Sequence, residues 1–252
     1  MGDIDQALAR AYARRGSVGE SKTPAPHFAV DGPPIGSPVG SDLGSTLEWP
    51  STVRALEREH GTRFEQLADA LVLARVTSQV RSLFFTSCHR SEGRTTLVLT
   101  LARALARRPG RTVLVDADLS GPMLARSLGV RPRYGLDDVL DGTAALNDAL
   151  LYAPDDHLTL LPLRAALGRP REVLVADPWA TAMARLRRDF DHVLIDGSPL
   201  FAGLSAVALP RAVDAAILVH NRKLTGPRAV LKAREVLGAG GIPLLGLAET
   251  FV

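Results

Sequence analysis

A polar loop between an apolar stretch and a helical stretch carries the residues best suited to bind a phosphate. The apolar residues 82–87 lead into the loop, and the sequence Gly-Arg-Thr-Thr at 93–96 opens a long stretch rich in Ala and Leu. Backbone N–H groups at the beginning of a helix point at an anion, and glycine lets the backbone approach it closely. The loop therefore predicts a phosphate site contacted by Ser91, Glu92, Gly93, Arg94, Thr95 and Thr96.

Acidic residues end two further apolar runs. Asp116 and Asp118 follow one run, and Asp196 ends another. In an open parallel sheet, ligand sites form outside the carboxyl ends of the strands, so these carboxylates should meet the loop. Taken alone, Asp116 or Asp118 would be a helix cap or a solvated loop acid. Beside a phosphate loop, the sequence favours a hydrated Mg²⁺ held by Thr95, Asp116, Asp118 and Asp196.

Composition narrows the classes of protein. The chain has 252 residues, 46% of them hydrophobic, which suffices for one α/β domain with an appendage. Its net charge of +3 comes from scattered arginines, and with only 5% aromatic residues we expect no nucleic-acid binding. The single cysteine, Cys88, excludes an internal disulfide and is interpreted as a small loop residue. Without a signal-peptide core or a membrane span, the chain is expected to be soluble and cytoplasmic.

Strand and helix patterns alternate from residue 82 onward. Continuous apolar strands, rather than alternating ones, indicate a mainly parallel sheet covered on both faces. The predicted fold is therefore a three-layer α/β P-loop NTPase with a doubly wound sheet. Predicted strands are 82–87, 112–116, 158–162, 192–196, 214–219 and 243–248. Predicted helices are 51–59, 62–78, 95–108, 121–128, 144–151, 178–189 and 225–238.

The leader has a different composition from the rest of the chain. Residues 1–15 place Ile4, Leu8, Ala11 and Tyr12 on one helical face, which predicts a short amphipathic helix that could dock on a partner. Residues 16–50 are rich in Gly, Pro and Ser and are predicted to be a flexible linker, so that the leader is disordered. The folded domain is predicted at 51–252.

The order of these motifs resembles the bacterial tyrosine kinases (BY-kinases) of exopolysaccharide and capsule synthesis, which are relatives of the Min/Par partition ATPases. The resemblance covers roughly residues 64–252. It rests on the loop and on the segments Val113–Pro122, Gly135–Leu140, Asp196–Pro199 and Pro243–Gly246.

This resemblance implies binding of ATP and Mg²⁺, autophosphorylation on a tyrosine-rich tail and ring-like self-association. It also implies a partner, a membrane-embedded chain-length-determinant adaptor of polysaccharide export, which would hold the protein at the inner membrane. If catalysis occurs, Asp116 would be the general base or a metal-shell acid. Asp118 and Asp196 would order Mg²⁺, and Arg94 would hold the phosphates.

Several departures from the family pattern bear on activity. Arg94 stands where the family has lysine, and a wide, planar guanidinium does not replace a slim ammonium conservatively. We therefore expect nucleotide binding to persist and phosphoryl transfer to be impaired. The chain also stops directly after the last predicted strand, so the tyrosine-rich tail is expected to be missing. In the self-association motif, Glu65 is followed by Ala68 and Leu71 where the family has arginines.

Three functions remain open from the sequence. The first is a working ATP-dependent tyrosine kinase that uses Arg94 in place of lysine. The second is a pseudokinase, a nucleotide-sensing scaffold of the polysaccharide-export machinery. The third and least favoured is a Min/Par-type partition ATPase, because the extra loop lysine of that branch would fall at His89 and its membrane-binding C-terminal helix has no counterpart.

Overall fold

The computed structural model describes residues 40–44, 46–167, 177–201 and 212–250. The predicted amphipathic helix 1–15 and most of the predicted linker lie outside these residues. The described part contains an eight-stranded sheet. Its strands are β1 (Ser41–Asp42), β2 (Ser82–Ser87), β3 (Thr112–Ala117), β4 (Leu151–Ala153), β5 (Leu158–Leu161), β6 (His192–Gly197), β7 (Ala215–Asn221) and β8 (Leu244–Thr250).

The sheet order is β1-β4-β5-β3-β6-β2-β7-β8. All neighbouring strands are parallel except β4 and β5, which form an antiparallel pair. Every residue of the central strands β2, β3 and β6 is buried, because helices cover both faces of the sheet. The predicted mainly parallel, doubly wound sheet is confirmed.

Helices form the two outer layers. They are α1 (Ser51–Ser78), α2 (Arg94–Ala106), α3 (Leu124–Ser127), α4 (Leu136–Asp141), α5 (Leu146–Ala149), α6 (Asp177–Asp189) and α7 (Pro227–Ala239). Adjacent β2 residues show the layering, since Phe85 packs into the core under α1 and α2, and Phe84 packs into the second core with Trp179 and Leu237. Two apolar cores therefore hold the sheet between helical layers. No helix in the described part of the chain is long and apolar enough to cross a membrane.

The folded region begins before residue 51. Strand β1 pairs with β4, and Leu47 and Trp49 are buried in the core. The indole Nε1 of Trp49 donates to Asp156 Oδ1 at 2.9 Å. Residues 40–44 and 46–50 are thus packed against the sheet rather than part of a free linker. A two-residue strand and two isolated apolar side chains have no periodicity that could predict this from sequence.

Two predicted helices are much shorter in the structure. The predicted helix 121–128 is reduced to α3, and the predicted helix 144–151 to α5, after which the chain enters β4. Pro122 and the backbone contacts made by the Asp116 carboxylate delay the beginning of α3. The two helices predicted at 51–59 and 62–78 are confirmed, because α1 is interrupted between them at His60, where φ of −133° and ψ of 15° are not helical.

Candidate functional site

The predicted phosphate loop connects β2 to the N-terminus of α2. Gly93 directly precedes the helix with φ of 81°, in the left-handed region that glycine adopts without steric cost. The loop borders an open pocket of about 450 Å³, into which the first turn of α2 points. All six residues predicted to contact the phosphate line this pocket, together with Asp118. The six residues thus share one pocket, and their contact with a phosphate stays a prediction.

The Arg94 side chain lies inside the protein, where two carboxylates surround it. Its Nε donates to Asp196 Oδ1 at 2.6 Å, and its Nη2 donates to Asp118 Oδ2 at 3.0 Å. Its Nη1 is 3.3 Å from Ser87 Oγ, and only 8% of the residue is exposed. Burial disfavours the charged guanidinium, but Asp196 and Asp118 outweigh it and raise the Arg94 pKa. Arg94 is thus a buried, fully charged cation between two strand ends.

Asp118 has a partner on both carboxylate oxygens. Oδ2 accepts hydrogen bonds from Arg94 and, at 3.3 Å, from Nη1 of the half-exposed Arg90. Oδ1 accepts from the hydroxyls of Ser198 at 3.0 Å and Ser120 at 3.1 Å. The loop, the end of β3 and the end of β6 are therefore joined at this one carboxylate.

Thr95 and Asp196 form the second link between the loop and the sheet. The Thr95 hydroxyl donates to Asp196 Oδ2 at 2.7 Å, which leaves its lone pairs available to a cation. Asp196 is buried beneath the loop with 2% of its surface exposed. Among the described residues, no group of three or more His, Cys, Asp and Glu side chains could hold a metal ion by itself. A cation here would depend on the Thr95 hydroxyl, water and ligand oxygens.

Asp116 lies beside Asp196 in the sheet register but faces backbone groups. Its Oδ2 accepts from the N–H groups of Met123 and Leu124, and its Oδ1 accepts from the N–H of Asp118. Burial, together with the nearby Asp196 charge, raises the Asp116 pKa to about 7. Because the Asp116 oxygens face backbone N–H groups and make no contact with Arg94 or Thr95, the structure gives no support to its predicted metal-ligand role. Asp116 instead holds the beginning of α3, the cap alternative weighed for this acid.

Glu92 also has a different position from the one predicted. Although the residue borders the pocket, its Oε2 accepts from the His89 N–H at 2.6 Å and its Oε1 accepts from the Asn221 N–H at 3.2 Å. The Thr225 hydroxyl also donates to Oε1, and the Thr250 hydroxyl donates to the Glu92 carbonyl at 2.6 Å. The buried Glu92 carboxylate therefore ties the loop to the end of β7, and its backbone carbonyl ties the loop to the end of β8. A lone acid in a polar loop gives no sequence signal for this role.

Cys88 is buried at the beginning of the loop. Burial, together with the Glu92 charge, raises the pKa of its thiol to about 12. The thiol therefore stays protonated at neutral pH, which makes it a poor nucleophile and agrees with its interpretation as a small loop residue.

No protein-family model matches the chain, but it is similar in sequence to several known proteins and in fold to several solved structures. Tyrosine-protein kinase CpsD of Streptococcus pneumoniae is 27% identical over 170 residues, 67% of this chain and 75% of that protein. The succinoglycan biosynthesis transport protein ExoP of Rhizobium meliloti is 28% identical over 156 residues, 61% of this chain and 20% of that protein.

Two solved structures match most of the chain. The kinase domain of VpsO superposes with a TM-score of 0.70 at 28% identity, covering 79% of this chain and 98% of that domain. The septum site-determining protein MinD of Pyrococcus horikoshii, complexed with Mg-ADP, gives a TM-score of 0.56 at 28% identity, covering 67% of this chain and 69% of that one.

Fold and site together define a P-loop NTPase-like α/β domain. Within that class, relatives named as bacterial tyrosine-protein kinases and the neighbouring kinase domains confirm the resemblance predicted from the motifs. The partition-type MinD neighbour belongs to the same wider group of P-loop ATPases and has the lower TM-score of the two structures.

Proposed function

We propose that this protein binds ATP in the manner of bacterial tyrosine kinases and acts in, or regulates, the synthesis and export of an exopolysaccharide. One observation carries the proposal. Arg94 and Thr95 meet Asp118 and Asp196, which are distant from them in sequence, under the loop at the N-terminus of α2. The loop amides and the helix N-terminus suit the phosphates, and the buried charges suit a ligand with a metal counter-ion.

The residues present fit a hydrated Mg²⁺. The lone pairs of the Thr95 hydroxyl would ligate it directly, while Asp118 and Asp196 would order its waters, and Asp116 would act one step removed by holding α3 in place. When bound, such an ion neutralises charge on the β- and γ-phosphates. The chain itself positions the phosphates with loop amides and keeps Thr95 oriented through its bond to Asp196.

Phosphoryl transfer should be weakened by the position of Arg94. A cation accelerates transfer only when it is aimed at the charge that develops on the transferring group. The Arg94 guanidinium is held instead by Asp118, Asp196 and Ser87 beneath the loop. Reaching a γ-phosphate would require breaking two buried ion pairs, so slow turnover is expected.

The contacts that hold Arg94 beneath the loop also support a second candidate, a pseudokinase that binds ATP without transferring its phosphoryl group. In that case the Arg94 contacts would make the site a nucleotide sensor. The partition-ATPase alternative lacks a comparable observation, and the neighbouring kinase domain matches the fold better than MinD does.

The partner and location are proposed from the relatives. ExoP is named as a transport protein of succinoglycan biosynthesis. We accordingly propose a membrane-embedded chain-length-determinant adaptor as partner, which would place the protein at the cytoplasmic side of the inner membrane. Docking through residues 1–15 and ring-like self-association remain proposals within this scheme.

Measuring ATP turnover and tyrosine phosphorylation in the wild type, Arg94→Lys and Asp196→Ala tests the proposal. We expect slow ATP turnover in the wild type, turnover about tenfold or more faster in Arg94→Lys, and no turnover in Asp196→Ala. If the wild type has no measurable turnover and only Arg94→Lys turns over ATP, the pseudokinase is favoured. Wild-type turnover equal to that of Arg94→Lys would contradict the proposed weakening, and absence of ATP binding by the wild type would overturn the nucleotide-binding function.

A further inference from the structure

We propose that Arg94 serves as a built-in cation of the nucleotide site, so that ATP binding by this protein depends little on Mg²⁺. This inference rests on the proposed ATP site and adds a property that the family resemblance does not supply. It concerns competition between a side chain of the protein and a metal ion for the same two carboxylates.

Asp118 and Asp196 are each already paired with an arginine. Asp118 and Asp196 carry two negative charges, and Arg94 and Arg90 supply two positive ones within 3.3 Å. Mg²⁺ is attracted to a P-loop site partly by uncompensated carboxylates behind the Ser/Thr hydroxyl. Here an arriving divalent ion would meet two carboxylates that the Arg94 guanidinium already occupies. Its binding would therefore be less favourable than at two free carboxylates.

The shape of the guanidinium makes this arrangement specific to arginine. Three of its nitrogens contact three acceptors at once, on Asp196, Asp118 and Ser87. A lysine at the same position carries one compact ammonium and could not span both carboxylates with a fixed fork. Lysine would leave at least one carboxylate free to order the metal's water. Arginine in place of lysine thus replaces a mobile point charge with a charge fixed by three contacts.

Binding of the phosphates does not require the metal in this geometry. The loop amides and the N-terminus of α2 attract an anion by themselves, and the pocket that they border is open. The half-exposed Arg90 adds a positive charge at the rim beside Asp118. These contacts are present with or without a divalent ion, so most of the affinity for ATP should survive its removal.

Calorimetric titration of the full chain with ATP, in saturating Mg²⁺ and in excess EDTA, tests the inference. For the wild type we expect the two dissociation constants to agree within about threefold. For Arg94→Lys we expect Mg²⁺ to tighten binding by about tenfold or more. Arg107→Lys, a matched change near the far end of α2, should behave like the wild type.

The wild-type comparison is decisive even if Arg94→Lys fails to fold. A loss of about tenfold or more in wild-type affinity on chelation would overturn the inference and leave the ATP-binding function intact. Absence of ATP binding in both conditions would overturn the proposed function and this inference together. An Arg94→Lys variant whose ATP affinity is as insensitive to Mg²⁺ as that of the wild type would show that Arg94 is not the cause.

Discussion

Replacing lysine by arginine at residue 94 changes which groups the loop cation can reach. The charge is retained, yet the planar fork is held by Asp118 and Asp196 beneath the loop. Removing one member of such a buried pair leaves an uncompensated charge, so the three side chains form one unit. The chemistry of the site therefore depends on where the Arg94 charge is held, and not only on its presence.

Glu92 shows the same dependence on position, and its substitution gives a first prediction. Glu92→Ala would leave the donors on His89, Asn221 and Thr225 without their buried partner. We expect a loss of about 2–4 kcal/mol in the free energy of unfolding, because unsatisfied buried polar groups cost roughly 1–3 kcal/mol each. Denaturant unfolding followed by circular dichroism would measure it.

A matched control is available on α1. Glu65→Ala removes a glutamate whose residue is exposed, and we expect a change within about 0.5 kcal/mol. Equal stability of the two variants would show that the Glu92 carboxylate does not hold the loop. Glu92→Gln should fall between them, since its amide keeps one acceptor and loses the other.

Two short elements, α3 and β1, depend on contacts with the rest of the fold. Helix α3 begins where the Asp116 carboxylate accepts two backbone N–H groups, and β1 is held at the sheet edge by pairing with β4. Neither element could form alone, because helices of this length and two-residue strands are unstable without tertiary contacts. Their presence follows from packing against longer neighbours.

Trp49 is the residue that fixes the segment before α1, and its truncation gives a second prediction. It is 7% exposed, donates to Asp156, and has the guanidinium carbon of Arg103 5.1 Å from its ring centre. Trp49→Ala should lower the free energy of unfolding by about 3 kcal/mol through lost burial and a cavity. Urea denaturation monitored by far-UV circular dichroism is the measurement.

A large apolar residue outside the core provides the comparison for this truncation. Leu73→Ala on α1 changes a side chain that is 49% exposed, and we expect a cost below about 1 kcal/mol. If Trp49→Ala were no more costly than Leu73→Ala, the described segment before α1 would not belong to the cooperative fold.

The whole molecule depends on a sheet whose central strands are buried from end to end. The site lies at the carboxyl ends of β2, β3 and β6. The amino ends of the same strands also have buried polar groups. There His192, the first residue of β6, is 3% exposed, and its Nε2 has no hydrogen-bond partner. Burial lowers its pKa to about 4.

This histidine predicts how the stability of the fold changes with acid. Between pH 6.5 and 4 the unfolded chain binds a proton at this residue and the folded chain does not. Stability contributed by neutral His192 is therefore present above pH 6.5 and is lost as the pH falls, by at most about 1.4 kcal/mol per pH unit. His192→Gln should reduce this slope in denaturant unfolding measured at several pH values.

The exposed His157 is the control for the acid experiment. His157→Gln changes a histidine that is exposed, and we expect the slope of the wild type to be retained. An unchanged slope in His192→Gln would mean that other groups cause the acid sensitivity.

Much of the fold could be predicted because its signals are local. Six strands were predicted within a few residues of their observed bounds, since long apolar runs between polar turns have few alternative structures. Strands β1 and β4 and the true lengths of α3 and α5 were missed, because their apolar residues are too few for a periodic pattern. These elements exist through contacts with residues far away in the sequence.

The sequence by itself determined the class of fold, the loop and the acids that border it, because these follow from apolar periodicity and from the order of short motifs. Only the tertiary structure decided where each side chain points. It turned Arg94 toward Asp118 and Asp196, the Glu92 carboxylate toward β7, and the Asp116 oxygens toward backbone amides. The direction of a buried charge is set by the partners that the fold brings within hydrogen-bonding distance, and a linear pattern does not contain those distances.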